Sequence, residues 1–168
     1  MPVLPYLDRA PELGSGVSLA DDAWLVGKVH LAGPARLESS AVVRADQNDV
    51  VIGAHFRMGR GSSIHVERHT STRVGAHVWL GDDVVVHATT LGDGTRVEDG
   101  GLVLSTSKVG AGSVVAADAL VSEGAEFPEN SYISGTPGRR LRETTPEERQ
   151  ATLRMIADAL GDEVAPSP

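Results

Sequence analysis

Aliphatic residues recur along this chain every six positions. From residue 91 onward, Leu91, Val97, Val103, Val109, Val115, Val121, Phe127 and Ile133 fall on one ladder. A second ladder, of small residues, runs through Thr89, Thr95, Gly101, Ser107, Ser113, Ala119, Ala125 and Ser131. Shorter runs with the same spacing come earlier: Leu31, Leu37, Val43; Ile52, Met58, Ile64; Val74, Leu80, Val86. A period of six fits neither the 3.6 of a helix nor the alternation of a half-buried strand. It fits a short strand plus a turn, three of which close one coil, with the aliphatic residue pointing inward onto its equivalent in the next coil. Small residues suit the tight corners, and Gly, Asp or Asn take up the turn conformations. The spacing therefore predicts a mainly β chain, a parallel β-helix of triangular section with coils about 4.8 Å apart.

Two polar stretches break the phase, "RADQNDVV" (44–51) and "VERHTSTR" (66–73). Both are expected to be loops pushed out from coil corners, where function tends to sit. Beyond the repeat, Thr145, Pro146 and Glu148 read as an N-cap, a first-turn proline and a capping-box glutamate. A helix over about 146–160 follows, with Leu153, Ile156 and Leu160 on one face, lying against the side of the solenoid or capping its open end. The division is thus 1–143 for the β-helix and 144–168 for the helix and a frayed tail, "DEVAPSP".

Composition narrows the chemistry. The chain has 168 residues, is 40% hydrophobic and only 4% aromatic, so its core is built from Val, Leu, Ile and Ala. With no Cys it has neither disulfides nor a thiolate metal cage. A formal charge of −8 argues against nucleic acid as a partner. No apolar run approaches the length that spans a bilayer, so no membrane partner is expected. The start, "MPVLPYLDRAPELG", has no basic segment ahead of an apolar one, and a cytoplasmic location is the expectation.

Four stretches carry a resemblance: "AVVRAD" (41–46), "SSIHV" (62–66), "LGDDVVVHATTLGD" (80–93) and "SGTPGRRLR" (134–142). In this order on a hexapeptide ladder they resemble the γ-class carbonic anhydrases, over about residues 23 to 142. The resemblance implies a left-handed parallel β-helix with a C-terminal α-helix, assembled as a homotrimer with zinc at the subunit interfaces. Two zinc ligands would come from one subunit, here His65 and His87. The third, a histidine in the family, falls on Asp82, contributed by a neighbouring subunit. The family's Gln-Asp pair ahead of the first histidine falls on Gly59-Arg60, and its Arg and Asp partners are kept as Arg44 and Asp46. The function implied is addition of metal-bound hydroxide to carbon dioxide, or to another small carbonyl substrate, as in a lyase of carbonic anhydrase type.

The residues bear on that chemistry directly. Two His and one carboxylate suit zinc or another divalent metal such as iron. Asp82 and His87 lie five residues apart, up to roughly 17 Å when extended, and an odd separation sends side chains to opposite faces. A second copy is then needed to bring an Asp82 to the histidines. A carboxylate in place of an imidazole raises the pKa of bound water and weakens hydroxide formation at neutral pH. Gly59 leaves room where the glutamine would stand. Arg60 is placed to pair with Asp82 or to hold an anionic substrate, and Arg44 and Asp46 read as an interface salt bridge. Glu67 and His69 are substitute ligands if the site is rearranged. Two further readings stand beside the enzyme: a non-catalytic trimeric scaffold of the same family, and a hexapeptide acyltransferase, for which His77 and Trp79 in "VGAHVWLG" are the pointers.

Overall fold

The computed structural model describes residues 2–162; the tail expected to fray lies, beyond Asp162, outside the described residues. The chain winds into a parallel β-solenoid of about seven coils, followed by one antiparallel strand, Arg139–Glu143, and one helix, Pro146–Leu160. Each coil lays one short strand on each of three faces. The first face stacks Leu25, Val43, Ile64, Val86, Val103 and Val121 in register. The second stacks Leu31, Ile52, Val74, Leu91 and Val109. The third stacks Leu37, Met58, Leu80, Val97, Val115 and Ile133. All of these point inward and are buried. Each contributes about 1.5–3 kcal/mol relative to exposure, so the six-residue ladder is the core itself.

Alternation does the rest. Because residues flanking an inward position point outward, each face carries two outer columns. The second face presents Glu12, His30, Val51, Arg73, Thr90, Lys108 and Glu126, a largely polar wall. The third presents Arg36, Arg57, Trp79 and Arg96, and the helix lies across it. The first presents Trp24, Val42, Ser63, Val85, Leu102 and Leu120, an apolar column with Trp24 42% and Leu102 38% exposed.

Three expectations change. Residues 44–51 are not one loop: the strand Val42–Ile52 pairs along the strand Trp24–Leu31. Gly27 faces Ala45 and Val29 faces Val50, so only 46–49 bulge outward. The apolar Val50 and Ile52 return the chain to the ladder sooner than its polarity implied. Likewise Thr72 and Arg73 already belong to a strand, leaving 66–71 as the protruding loop, closed by a Glu67–Thr70 bridge. The helix has the expected capping box, with Thr145 and Glu148 serving each other's amides, and it packs on the side of the solenoid. Its buried positions are Thr152 and Ile156, whereas Leu153 is 37% exposed. The face it covers is lined by arginine stems, which the Met155 sulfur and Thr152 can lie against as well as leucine can. No helix among the described residues is long and apolar enough to cross a membrane.

Candidate metal centre

On the first face, strands Ser63–His65 and Val85–His87 turn Ile64 and Val86 inward, which turns His65 and His87 outward, one coil apart and in register. Their ring centroids are 5.8 Å apart, with the planes at 66°. Arg44 stands on the coil before them and Asp46 just beyond it, with Arg44 Nε 3.6 Å from Asp46 Oδ2. Arg44 and Asp46 thus pair within one chain. Burial, then the Arg44 guanidinium and the neighbouring His87, hold the His65 imidazole below its ordinary pKa, with Asp46 opposing. A neutral imidazole is the form that binds metal.

The loop 66–71 folds back over this pair. Val66, its first residue, is buried, and Thr72 Oγ1 donates to the His65 carbonyl at 2.5 Å. Glu67 is thereby delivered to the histidines: its Oε1 lies 3.1 Å from His87 Nε2 and accepts from Ser105 Oγ at 2.5 Å. The Ser105 bond, with a smaller contribution from His87, keeps the Glu67 carboxyl below the usual carboxylate range despite some desolvation. Sequence reasoning reduced Glu67 to a substitute and passed over Ser105. The available signal was that Ser105 lies in the next coil, one residue past the position opposite His87. His69 stays at the exposed loop tip.

Asp82 lies elsewhere. It occupies the corner turn before the strand Val85–His87, so the odd-spacing argument, which assumes one continuous strand, does not describe it. Its Oδ1 accepts the Arg60 amide at 3.0 Å and Arg57 Nη2 at 3.3 Å. Asp93 and Asp99 do the same job at their corners, accepting the Ala76 and Asp82 amides. Arg57 is itself fixed by the Leu80 carbonyl at 2.8 Å and by stacking over Trp79 at 4.2 Å. Arg60 therefore meets Asp82 through its backbone N–H, while the guanidinium that pairs with Asp82 belongs to Arg57, a residue the sequence did not single out. Gly59 opens no room: a Cβ there would stand 2.0 Å from the Gly81 carbonyl oxygen and 2.5 Å from Asp82 Oδ1.

One chain thus gathers His65, His87, Glu67, Arg44 and Asp46 on the first face and leaves Asp82 and Arg60 at the face's opposite edge. Among the described residues no three His, Cys, Asp or Glu side chains already converge as a metal cage. Taken two at a time, the donors have spacings that suit a divalent ion. With metal–nitrogen bonds of about 2.1 Å, two imidazoles on one ion have centroids about 5–6 Å apart, and two donor atoms about 3–3.4 Å. The His65–His87 and Glu67–His87 spacings fall in or next to those ranges.

Comparison with known proteins identifies the family. The chain is 30% identical over 148 residues to the "Probable carbonic anhydrase" of Methanocaldococcus jannaschii, covering 86% of this chain and 93% of that protein. It is 30% identical over 152 residues to the mitochondrial gamma carbonic anhydrase 1 of Arabidopsis thaliana, of whose length it spans only 55%. The crystal structure of a hexapeptide transferase family protein from Anaplasma phagocytophilum superposes with a TM-score of 0.89 at 25% identity, over 95% of each chain. No protein-family model matches. On the strength of the full-length relative, the chain belongs to the γ-class carbonic anhydrase-like family of hexapeptide-repeat proteins.

Proposed function

We propose that this chain is a trimeric, metal-dependent γ-carbonic anhydrase-like protein whose site is seated on His65 and His87. The observation that carries the reading is the register of those two imidazoles on adjacent coils, 5.8 Å apart. The third donor is a carboxylate, for which Asp82 of a neighbouring copy and Glu67 are the two candidates. Assembly through the first face is supported by elimination: the second face is polar, the helix covers the third, and the first keeps its apolar column beside the histidines. A divalent ion at that place supplies Lewis acidity toward water or a small carbonyl substrate. Around it, Arg44 offers a cation to an anionic product such as bicarbonate, Asp46 steadies Arg44, and burial keeps His65 in its ligating form.

Departures from the family's donor set point the activity away from fast carbon dioxide hydration. A carboxylate donor lowers the ion's acidifying power, and the Gly59 position has no space for the water-steering glutamine. Together they also favour a second reading, a family member that keeps metal and trimer as a scaffold. Elemental analysis of protein purified without chelators is the test. The reading expects about one divalent ion per chain in the wild type and a loss of most of it in His65→Ala. Equal metal in both, or none in either, would overturn it.

A further inference from the structure

We infer that the carboxylate completing the site is Glu67 of the same chain, so that one subunit supplies two nitrogens and one oxygen and the neighbour's Asp82 is not a ligand. The inference rests on the metal reading above and names the third donor within it.

Three observations carry it. First, Glu67 is aimed: Oε1 sits 3.1 Å from His87 Nε2, the separation expected of two donors on one ion. Second, it is held there before any ion arrives. Ser105 Oγ fixes the same oxygen, the Glu67–Thr70 bridge closes the loop behind it, and Ser71 Oγ ties the far end of the loop to Asp49 at 2.6 Å. A donor that is already positioned loses little freedom on binding. Third, Asp82 has another task. Its Oδ1 serves the Arg60 amide and the Arg57 guanidinium, in the same corner position where Asp93 and Asp99 cap their own neighbours. Aspartate is also shorter than the imidazole it replaces in the family pattern, and this one is turned back onto its own solenoid.

Loading the site asks for small changes. A bound ion would be held by His87 Nε2 and Glu67 Oε1, which already face each other at 3.1 Å. The His65 ring turns toward the same point from its edge-on pose. The resulting donor set, two imidazoles and a carboxylate, suits zinc, iron(II) or cobalt(II). It also frees metal binding from the subunit boundary, which in the family pattern it requires.

Cobalt(II) titration of the metal-free protein, followed by the visible absorption of the ion, tests this without reference to any activity. Glu67→Gln keeps an acceptor for Ser105 but is a poor ligand; Asp82→Asn keeps an Oδ1 for Arg60 and Arg57. The inference expects Glu67→Gln to weaken cobalt binding by at least tenfold and Asp82→Asn to change it by less than threefold. Glu67→Asp, which retains charge and shortens reach, should fall between. Tenfold weakening in Asp82→Asn with none in Glu67→Gln would overturn the inference and leave the metal reading standing with a neighbour's ligand. Cobalt binding unaffected by His65→Ala and His87→Ala together would overturn both.

Discussion

Replacing Gly59 by alanine probes how the site's corner is built. The backbone of Gly59 runs against the next coil so closely that a Cβ would lie 2.0 Å from the Gly81 carbonyl oxygen, 2.4 Å from its carbon and 2.5 Å from Asp82 Oδ1. Backbone, unlike the end of a flexible side chain, cannot swing aside, so the two coils must separate locally. That separation strains the Gly59 N–H bond to Leu80 and the Arg60 N–H bond to Asp82, at 3.0 Å each. Overpacking of this kind costs about 1–3 kcal/mol, and a weakened hydrogen bond adds about 1 kcal/mol. The sum, about 2–4 kcal/mol, lowers the melting temperature of a chain this size by about 5–15 °C. Thermal unfolding followed by circular dichroism at fixed protein concentration reads it out. Gly59→Gln, which would reinstate the residue type of the family pattern, should be destabilised at least as much and gain no carbon dioxide hydration. A Gly59→Ala melting temperature within about 1 °C of wild type would refute the close-approach argument.

Further outcomes follow from other parts of the molecule. Arg142 and the Thr145 amide hold the Glu148 carboxyl down from 4.5 to about 2. At about 1.4 kcal/mol per pKa unit the full shift is about 3 kcal/mol, and solvent screening of this partly exposed pair reduces it to about 1–2 kcal/mol. Because the folded pKa is depressed, that stability is present above pH 4.5 and is lost as pH falls toward 2. Glu148→Gln should therefore destabilise at pH 7 and flatten the acid limb of a pH-melting curve; an unchanged acid limb counts against the Arg142–Glu148 clamp. Phe56, fully buried beneath a corner, should cost about 3–5 kcal/mol on truncation to alanine, read by urea unfolding. Leu102→Glu, placed in the outer apolar column of the first face, should convert the proposed trimer to monomer in light scattering while leaving secondary structure intact; a variant that stays trimeric would move the interface elsewhere, and a monomeric wild type would refute the assembly.

The solenoid was legible because one physical requirement, an aliphatic residue stacking on its equivalent in every coil, is written into the chain at fixed spacing. The helix start was legible for a similar reason: Thr145, Pro146 and Glu148 act within one turn and need no tertiary partner. What went unread depends on neighbours one coil away. Gly59 is glycine because of Gly81, which the one-dimensional pattern does not place against it. Leu153 lost its place in the interface because the surface receiving the helix is a row of arginines rather than leucines. At the candidate site the histidines were found as a pair, whereas Glu67 was only a substitute donor, since a protruding loop has no ladder to count along, and Ser105 in the next coil went unread. Asp82 shows the converse. Family position drew attention to it, and the corner geometry gives its carboxylate a backbone to cap.

The central claim, a metal seated on His65 and His87, is tested most directly by anomalous diffraction at the zinc edge from crystals of protein grown with zinc. The account predicts one peak per chain within bonding distance of both imidazoles. Zinc found only at other surface positions, with the His87–Glu67 contact intact beneath an empty His65, would contradict it.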